Sequence, residues 1–224
     1  MEYDENEVED QMETFKVVLV GETGVGKTSI ICQFIDKIFQ DDLQASTGGS
    51  FSSKSFKFEN GKILKFDIWD TAGQEKYRSL TQMFYKDAGA AVLVYDITRQ
   101  ESFDELKNYW ANQIKESASQ DLIFVVAANK SDLIEKEEVD ESIARKFAED
   151  LNAIFCSTSA KESTGIDDLF IQIAKKHTGE DNFTILKDDG EDSEKEGKES
   201  QMFNTSMKLS KEKSYSENKK KKCC

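Results

Sequence analysis

The sequence predicts an α/β fold: a three-layer sandwich with a mostly parallel six-stranded sheet, one antiparallel edge strand and about five helices. Two runs, Ala88 to Tyr95 and Leu122 to Ala128, are apolar almost throughout, as strands covered on both faces of a parallel sheet must be. Segments with helical apolar spacing alternate with such strands. Two further runs between Phe51 and Trp69 meet at Asn60-Gly61, a hairpin signal that predicts the antiparallel strand.

The other elements follow in chain order. An apolar run from Phe15 to Val20 predicts the first strand, and apolar residues at helical spacing from Ile30 to Ile35 predict a helix soon after it. Three more helices, with Ser or Asp near several starts as caps, are predicted at Glu101 to Ser117, Asp140 to Leu151 and Ile166 to His177. Ligands of doubly wound sheets bind beyond the carboxyl ends of the strands, so we expect the loops there to form one site.

Composition predicts one globular domain, residues 15–177, between two tails. Residues 1–14 are acidic, and residues 178–224 run from an acidic stretch to a lysine-rich end, with few large apolar side chains, which predicts disorder. The net charge of −14 argues against a nucleic-acid binder. We expect the protein to be a monomer. No apolar run reaches the roughly 18 residues of a spanning helix, and no secretory leader is recognisable, so we expect a cytosolic location or one on cytosolic membrane faces.

The stretch from Gly21 to Thr28 matches the phosphate-loop pattern G-x-x-x-x-G-K-[ST] at every fixed position, between a predicted strand and a predicted helix. Glycines let successive backbone N–H groups face one anion, and the helix N-terminus adds partial positive charge. Lys27 is expected to reach the terminal phosphates in a catalytic role, and the Thr28 hydroxyl to bind Mg²⁺. The predicted nucleotide-binding residues of this loop are Gly24, Val25, Gly26, Lys27, Thr28 and Ser29. Together these features predict a P-loop NTPase.

A second motif, Asp70-Thr71-Ala72-Gly73-Gln74-Glu75, follows the strand that ends at Trp69. Asp70 is placed to hold Mg²⁺ through a water molecule of the metal shell. Gly73 can bring a backbone N–H to the terminal phosphate without a Cβ in the way, and Gln74 is the candidate for orienting the attacking water. These positions predict hydrolysis of a nucleoside triphosphate.

Two further motifs predict that the base is guanine. Asn129-Lys130-Ser131-Asp132 follows a predicted strand, and the Asp132 carboxylate can accept hydrogen bonds from guanine N1–H and the 2-amino group, a donor pair that adenine lacks. A buried carboxylate left unpaired is costly, so the discrimination is expected to be strong. Ser159-Ala160-Lys161 follows the last predicted strand and is expected to offer a backbone N–H to the guanine oxygen.

With these four motifs, residues 15–177 resemble the Ras superfamily of small GTPases, and within it the chain is most similar to a Rab. The superfamily resemblance rests on the phosphate loop and the three motifs described above. The Rab resemblance rests on further segments: Lys65-Phe66-Asp67-Ile68-Trp69, Tyr77-Arg78-Ser79-Leu80-Thr81, Phe84-Tyr85-Lys86-Asp87-Ala88 and the closing Cys223-Cys224.

The resemblance implies a switch between GTP and GDP states. Two segments, residues 39–50 and 73–81, would be ordered by the terminal phosphate and released on hydrolysis. It also implies that Phe39 packs beside the base and that Phe51, Trp69 and Phe84 form an aromatic surface read by effectors. Taken singly, each of these aromatic side chains is more typical of a core, so the effector interpretation depends on the resemblance.

The first switch segment departs from the Rab pattern Thr-Ile-Gly, in which the Thr hydroxyl completes the Mg²⁺ shell. Here the sequence reads Ala45-Ser46-Thr47-Gly48-Gly49. Counting forward from Lys27 puts Ser46 in the Thr position, whereas counting back from Trp69 selects Thr47. Both hydroxyls therefore remain candidate metal ligands. Loss of the Ile and gain of adjacent glycines are expected to loosen the segment and alter effector choice.

The chain ends in four lysines, residues 219–222, followed by Cys223 and Cys224. A solvated terminus is the simplest interpretation of a lysine run. The Rab resemblance instead implies geranylgeranylation of both cysteines, although the ending is not C-a-a-X. Two lipid chains give stable anchoring where one is marginal, and each lysine near an anionic leaflet adds about 1 kcal/mol.

The sequence therefore predicts a Rab-like GTPase in vesicle trafficking that hydrolyses GTP slowly without an activating protein, at the cytoplasmic face of endomembranes with a cytosolic pool. The resemblance implies an exchange factor, an activating protein, effectors, a prenylation escort and a GDP-dissociation inhibitor as partners, and GTP or GDP with Mg²⁺ as cofactors. Two alternatives remain. A P-loop phosphotransferase would share the loop but not need the guanine motif, and a scaffold with impaired hydrolysis would account for the altered first switch.

Overall fold

The computed structural model describes residues 12–41, 49–71, 84–117, 119 and 121–186. The strands of this part of the chain are β1 (Met12–Val20), β2 (Ser50–Phe58), β3 (Ile63–Asp70), β4 (Ala90–Asp96), β5 (Ile123–Asn129), β6 (Ile154–Thr158) and β7 (Phe183–Ile185). They form a single mixed sheet with the order β6-β5-β4-β1-β3-β2-β7. Pairing is parallel from β6 through β5, β4 and β1 to β3, whereas β2 pairs antiparallel with both β3 and β7.

Helices cover both faces of the sheet. The α-helical segments of the described chain are α1 (Lys27–Ile35), α2 (Gln100–Glu105), α3 (Ala111–Ser117), α4 (Glu141–Asp150) and α5 (Ile166–Thr178). A π-helical turn, Leu106–Trp110, joins α2 to α3, and a 3₁₀ segment, Ser131–Lys136, follows β5. The Asp140 carboxylate caps α4 by accepting from the Ser142 backbone N–H at 2.7 Å.

The core consists of two hydrophobic clusters, one on each face of the sheet. The first includes Phe34 of α1 and Phe170 of α5, whose rings stack with centroids 3.9 Å apart. The second includes Phe103 and Trp110 from the helix that passes through the π turn. Every residue of β4 is buried, which explains why that strand has no polar alternation in the sequence.

The predicted α/β class, the antiparallel hairpin and the helices are confirmed, with bounds that differ by a few residues. The predicted edge position of the antiparallel strand is wrong, because β7 pairs with the outer side of β2. The hairpin turns at Asn60 and Gly61, where Gly61 has a φ of 87° that a glycine adopts at no steric cost. The helix predicted from Glu101 to Ser117 contains the π turn, which apolar spacing does not distinguish from α-helix.

The strand count differs from the prediction, because the described sheet has seven strands and not six. The extra strand, β7, lies inside the segment 178–224 that composition assigns to a disordered tail. Phe183 explains this addition, since its ring packs edge-on against Phe56 and Phe58 of β2 at centroid distances of 5.5 and 5.4 Å. A strand of three residues among charged neighbours is too short to produce a recognisable alternation.

None of the helices in the described ranges is long and apolar enough to cross a membrane.

Truncating Phe170 to alanine is expected to lower the free energy of unfolding by about 3–5 kcal/mol, because the ring is fully buried and its removal leaves a cavity. The measurement is denaturant unfolding at a fixed nucleotide concentration, since bound nucleotide itself adds stability. Ile143→Ala is the matched control, as this apolar helix residue is 56% exposed and its loss is expected to cost about 0.5 kcal/mol or less. A Phe170→Ala protein as stable as the control would contradict this core packing.

Candidate functional site

The motif loops meet at one edge of the sheet because their strands are in register there. Leu19 of β1 lies opposite Asp70 of β3, and Asn129 of β5 lies opposite Thr158 of β6. The phosphate loop follows β1, the guanine motif follows β5, and Ser159 follows β6. Parallel strands end at the same edge, so side chains far apart in sequence come within hydrogen-bond distance.

Lys27 is the most buried charged side chain of the phosphate loop, with 5% of its surface exposed. Its ammonium donates to the carbonyl oxygens of Gly21 at 3.0 Å and Glu22 at 2.9 Å. Burial lowers the pKa of Lys27 to about 8, although the carboxylates of Asp70 and Glu22 act in the opposite direction. A buried cation with two carbonyl partners and a free donor capacity is suited to an anionic ligand such as a phosphate.

Thr28 and Asp70 supply two oxygen ligands beside the loop. The Thr28 hydroxyl donates to the Asp70 carboxylate at 2.6 Å, and Asp70 is 1% exposed. The next residue, Thr71, anchors this turn by donating its hydroxyl to the Leu19 carbonyl at 2.7 Å. Within the described ranges no three His, Cys, Asp or Glu side chains cluster as a metal site. A hydroxyl and one carboxylate nevertheless fit Mg²⁺, which takes few protein oxygens and completes its shell with phosphate and water.

Asn129 joins the guanine motif to the phosphate loop. Its side-chain amide donates to the Val25 carbonyl at 2.8 Å, and its side-chain oxygen accepts from the Thr158 hydroxyl at 3.2 Å. A Cβ on Gly26 would lie 2.3 Å from the Asn129 amide nitrogen, and Gly26 has a φ of 98°. Only glycine therefore allows the two loops to approach this closely.

The base-recognition residues lie together after β5 and β6. Asp132 is in the 3₁₀ segment, and its carboxylate accepts from the Ser159 hydroxyl at 2.6 Å. Ala160 is buried beside Ser159, whereas Lys161 is exposed. Lys130 has a φ of 67°, and its ammonium lies 2.6 Å from the Asp96 carboxylate at the end of β4. Both charged side chains of the motif are thus held in place from neighbouring strands.

Phe51, Trp69 and Phe84 form one aromatic cluster, as their predicted grouping requires. The centroids of Phe51 and Trp69 are 5.3 Å apart, and those of Trp69 and Phe84 are 5.7 Å apart. All three side chains are half-buried, so they present ring surface to solvent and are not enclosed in the core. Lys16 places its ammonium 5.3 Å from the Trp69 ring, and burial lowers the pKa of Lys16.

The structure brings most of the described site residues to the sheet edge. Ser29 follows Lys27 and Thr28 in the first turn of α1, and Phe39 is half-buried against the core cluster on the α1 face. Gly24 has a φ of 80° and faces open space, as a loop that admits a ligand requires. Six predicted residues lie outside the described ranges: Ser46, Thr47, Gly73, Gln74, Cys223 and Cys224.

Sequence reasoning missed three contributions to this site. Asp96 pairs with Lys130, Arg99 contacts the phosphate loop, and the Ser159 hydroxyl binds Asp132. Burial opposes ionisation of Asp96, but hydrogen bonds from Lys130 and Thr98 outweigh it and hold the pKa of Asp96 below its usual value. The site was predicted to lie at the carboxyl ends of the buried strands. The same reasoning applied to β4, which ends at Asp96, could have found this residue.

Comparisons with known proteins agree with this geometry. A sequence model described as the Ras family matches residues 16–178. The human Ras-related protein Rab-22A is 42% identical over 161 residues, which are 72% of this chain and 82% of that protein. The mouse Ras-related protein Rab-31 is 43% identical over 161 residues, which again are 72% of this chain and 82% of that protein. The phosphotransferase alternative is thereby set aside. The chain belongs to the Rab group of the Ras family, the small GTPases that bind guanine nucleotide, hydrolyse GTP to GDP and act in membrane traffic.

Proposed function

We propose that this chain is a Mg²⁺-dependent guanine-nucleotide switch whose phosphates are held by the loop around Lys27. The observation that carries the proposal is the pair of contacts at this loop. The buried Lys27 ammonium is held by two loop carbonyls, and the Thr28 hydroxyl lies 2.6 Å from Asp70. Mg²⁺ would be held by Thr28 and Asp70, where it would neutralise phosphate charge. Ser46 and Thr47 remain the two candidates for a further ligand in the GTP state.

The base specificity is proposed to come from Asp132 in an orientation set by Ser159. The Ser159 hydroxyl occupies one carboxylate oxygen at 2.6 Å, so the carboxylate plane cannot rotate freely. Asp132 then accepts from guanine N1–H and the 2-amino group, Lys130 lies alongside the base, and the backbone at Ala160 and Lys161 offers a donor to the guanine oxygen. Phe39 is proposed to cover the other side of the base.

Hydrolysis is proposed to depend on Gln74, which would orient the attacking water toward the terminal phosphate. Lys27 would neutralise the charge that develops on the phosphate oxygens. Neither side chain takes a proton from water in this scheme, so basal turnover is expected to be slow. An activating protein that supplies an arginine accelerates this chemistry by roughly a thousandfold or more.

The remaining partners are proposed from the ending of the chain and the aromatic cluster. Cys223 and Cys224 would carry prenyl groups attached with the help of an escort protein, and a GDP-dissociation inhibitor would extract the GDP form from membranes. Phe51, Trp69 and Phe84 would contact effectors, and an exchange factor would release GDP. The chain would then reside on the cytoplasmic face of endomembranes with a cytosolic pool.

Asp132→Asn is expected to change the base preference of the protein from guanine to xanthine. The amide keeps one acceptor for N1–H but gains a donor that matches the 2-oxo group of xanthine and opposes the 2-amino group of guanine. We expect GDP affinity to fall by about a hundredfold, with XDP binding better than GDP. Competition against a fluorescent nucleotide measures both affinities, with ADP as a further competitor.

The control is Asp150→Asn, an exposed acid on α4 that undergoes the same chemical change. This variant is expected to retain the guanine preference. Unchanged preference for GDP over XDP in the Asp132→Asn protein would refute the assignment of the base contact.

Gln74→Leu is expected to prolong the GTP state, because leucine cannot hydrogen-bond the attacking water. Single-turnover release of γ-phosphate, with and without an activating protein, measures the effect, and we expect a slowing of about tenfold or more. Gln100→Leu serves as a glutamine-to-leucine control at the start of α2. Equal rates for wild type and Gln74→Leu in both conditions would remove Gln74 from the mechanism, and no release from wild type would favour the scaffold alternative.

Replacing Cys223 and Cys224 together by serine is expected to abolish membrane pelleting, because neither prenyl chain can then be attached. Fractionation of cells that express the tagged chain measures the membrane-bound share. The control, Cys32→Ser with Cys156→Ser, removes two free thiols of the folded domain and leaves the ending intact. Persistent pelleting of the Cys223/Cys224 variant would contradict lipid anchoring at these positions.

A further inference from the structure

The turn between β4 and α2, residues 97–99, crosses the edge of the nucleotide site without belonging to any of its four motifs. The backbone N–H of Ile97 donates to the Asn129 carbonyl at 3.1 Å, and the Arg99 N–H donates to the Asp96 carbonyl at 3.1 Å. The Ser102 hydroxyl donates to the Arg99 carbonyl at 2.7 Å. These bonds fix the backbone from which the Arg99 side chain extends.

Arg99 contacts the phosphate loop directly. One terminal guanidinium nitrogen donates to the Thr23 carbonyl at 3.0 Å, and the same nitrogen lies 3.1 Å from the Glu22 carboxylate. Lys27 donates to the carbonyls of Gly21 and Glu22 from inside the loop. Two cations therefore hold consecutive peptide units of the phosphate loop.

The positive charge of Arg99 matters because it lies beside the Glu22 carboxylate on the phosphate loop. An unpaired carboxylate on the phosphate loop would repel the anionic phosphates that the loop must bind. The side chains of Glu22 and Arg99 are 32% and 38% exposed, so water screens this pair only in part. Among the described residues, three polar atoms at this contact are buried without a hydrogen-bond partner: Arg99 Nε, Glu22 Oε2 and the Thr23 hydroxyl. Arg99 therefore contacts Glu22 as an ion pair and Thr23 through a hydrogen bond, while part of its side chain stays exposed to solvent.

We propose that Arg99 is a positioning residue for nucleotide phosphates: it neutralises Glu22 and holds the Thr23 carbonyl, so that the phosphate loop keeps the shape and charge needed to retain GDP and GTP. The inference rests on the proposed nucleotide site and adds a residue outside the phosphate, metal and base motifs. Because Arg99 acts through the loop and not on the base, its contribution is made to GDP and GTP, which carry a β-phosphate, and not to GMP.

Arg99→Gln is expected to weaken GDP and GTP binding by about tenfold each, the size of a lost charge-assisted hydrogen bond. GMP binding is expected to change by less than about twofold, since GMP lacks the phosphates that this part of the loop surrounds. Competition of GMP, GDP and GTP against fluorescent GDP measures the three affinities, and the dissociation rate of fluorescent GDP provides an independent readout.

Three further variants separate charge from structure. Glu22→Gln combined with Arg99→Gln is expected to regain GDP affinity to within about threefold of wild type, because no unpaired carboxylate remains. Arg99→Lys keeps the positive charge, and its GDP affinity is also expected to lie within about threefold of wild type. Arg145→Gln is the matched control, because Arg145 forms a 2.6 Å ion pair with Glu141 on the surface of α4, and its loss is expected to leave nucleotide binding unchanged.

The proposal is overturned if Arg99→Gln weakens GMP, GDP and GTP equally, which indicates a general structural role. It is also overturned if the variant binds GDP like Arg145→Gln, or if removing Glu22 restores nothing. Failure of the proposed function is distinguishable, because wild-type protein would then show no preference for GDP over ADP in the same competition assay.

Discussion

Burial of the Lys27 ammonium is the constraint on which the nucleotide site depends. Removing a cation from water is costly unless it is paired, and two loop carbonyls provide only part of that compensation. Burial accordingly lowers the pKa of Lys27. A bound phosphate would supply the opposite charge, so the loop is built for an anion. The start of α1 at the same residue adds oriented N–H groups at that position.

The sheet makes this arrangement possible because it is covered on both faces. Two hydrophobic clusters pack against it, and the interior strand β4 is buried along its entire length. The strands therefore cannot shift register without exposing apolar surface, and their carboxyl ends remain aligned. Polar residues at those ends, such as Asp70 and Asn129, can then be almost fully buried, since each has a partner in or next to the phosphate loop.

The antiparallel end of the sheet differs in character from the nucleotide end. Here Phe51 of β2 and Trp69 of β3 form a half-buried aromatic cluster together with Phe84. On its other side β2 is paired along its last residues by β7, so this part of the strand does not present an open edge.

The sequence by itself determined the fold class and the chemistry of the site. Apolar runs such as Leu122 to Ala128 require burial on both faces, and the phosphate-loop and guanine motifs consist of adjacent residues whose functions depend mainly on local backbone shape. The tertiary structure alone decided the contacts of Asp96, Arg99 and Phe183. Each depends on a partner distant along the chain, namely Lys130, the Glu22-Thr23 peptide, and the rings of Phe56 and Phe58. Such pairs leave no periodic signal, because they form only after the sheet has set which strand ends and edges are neighbours.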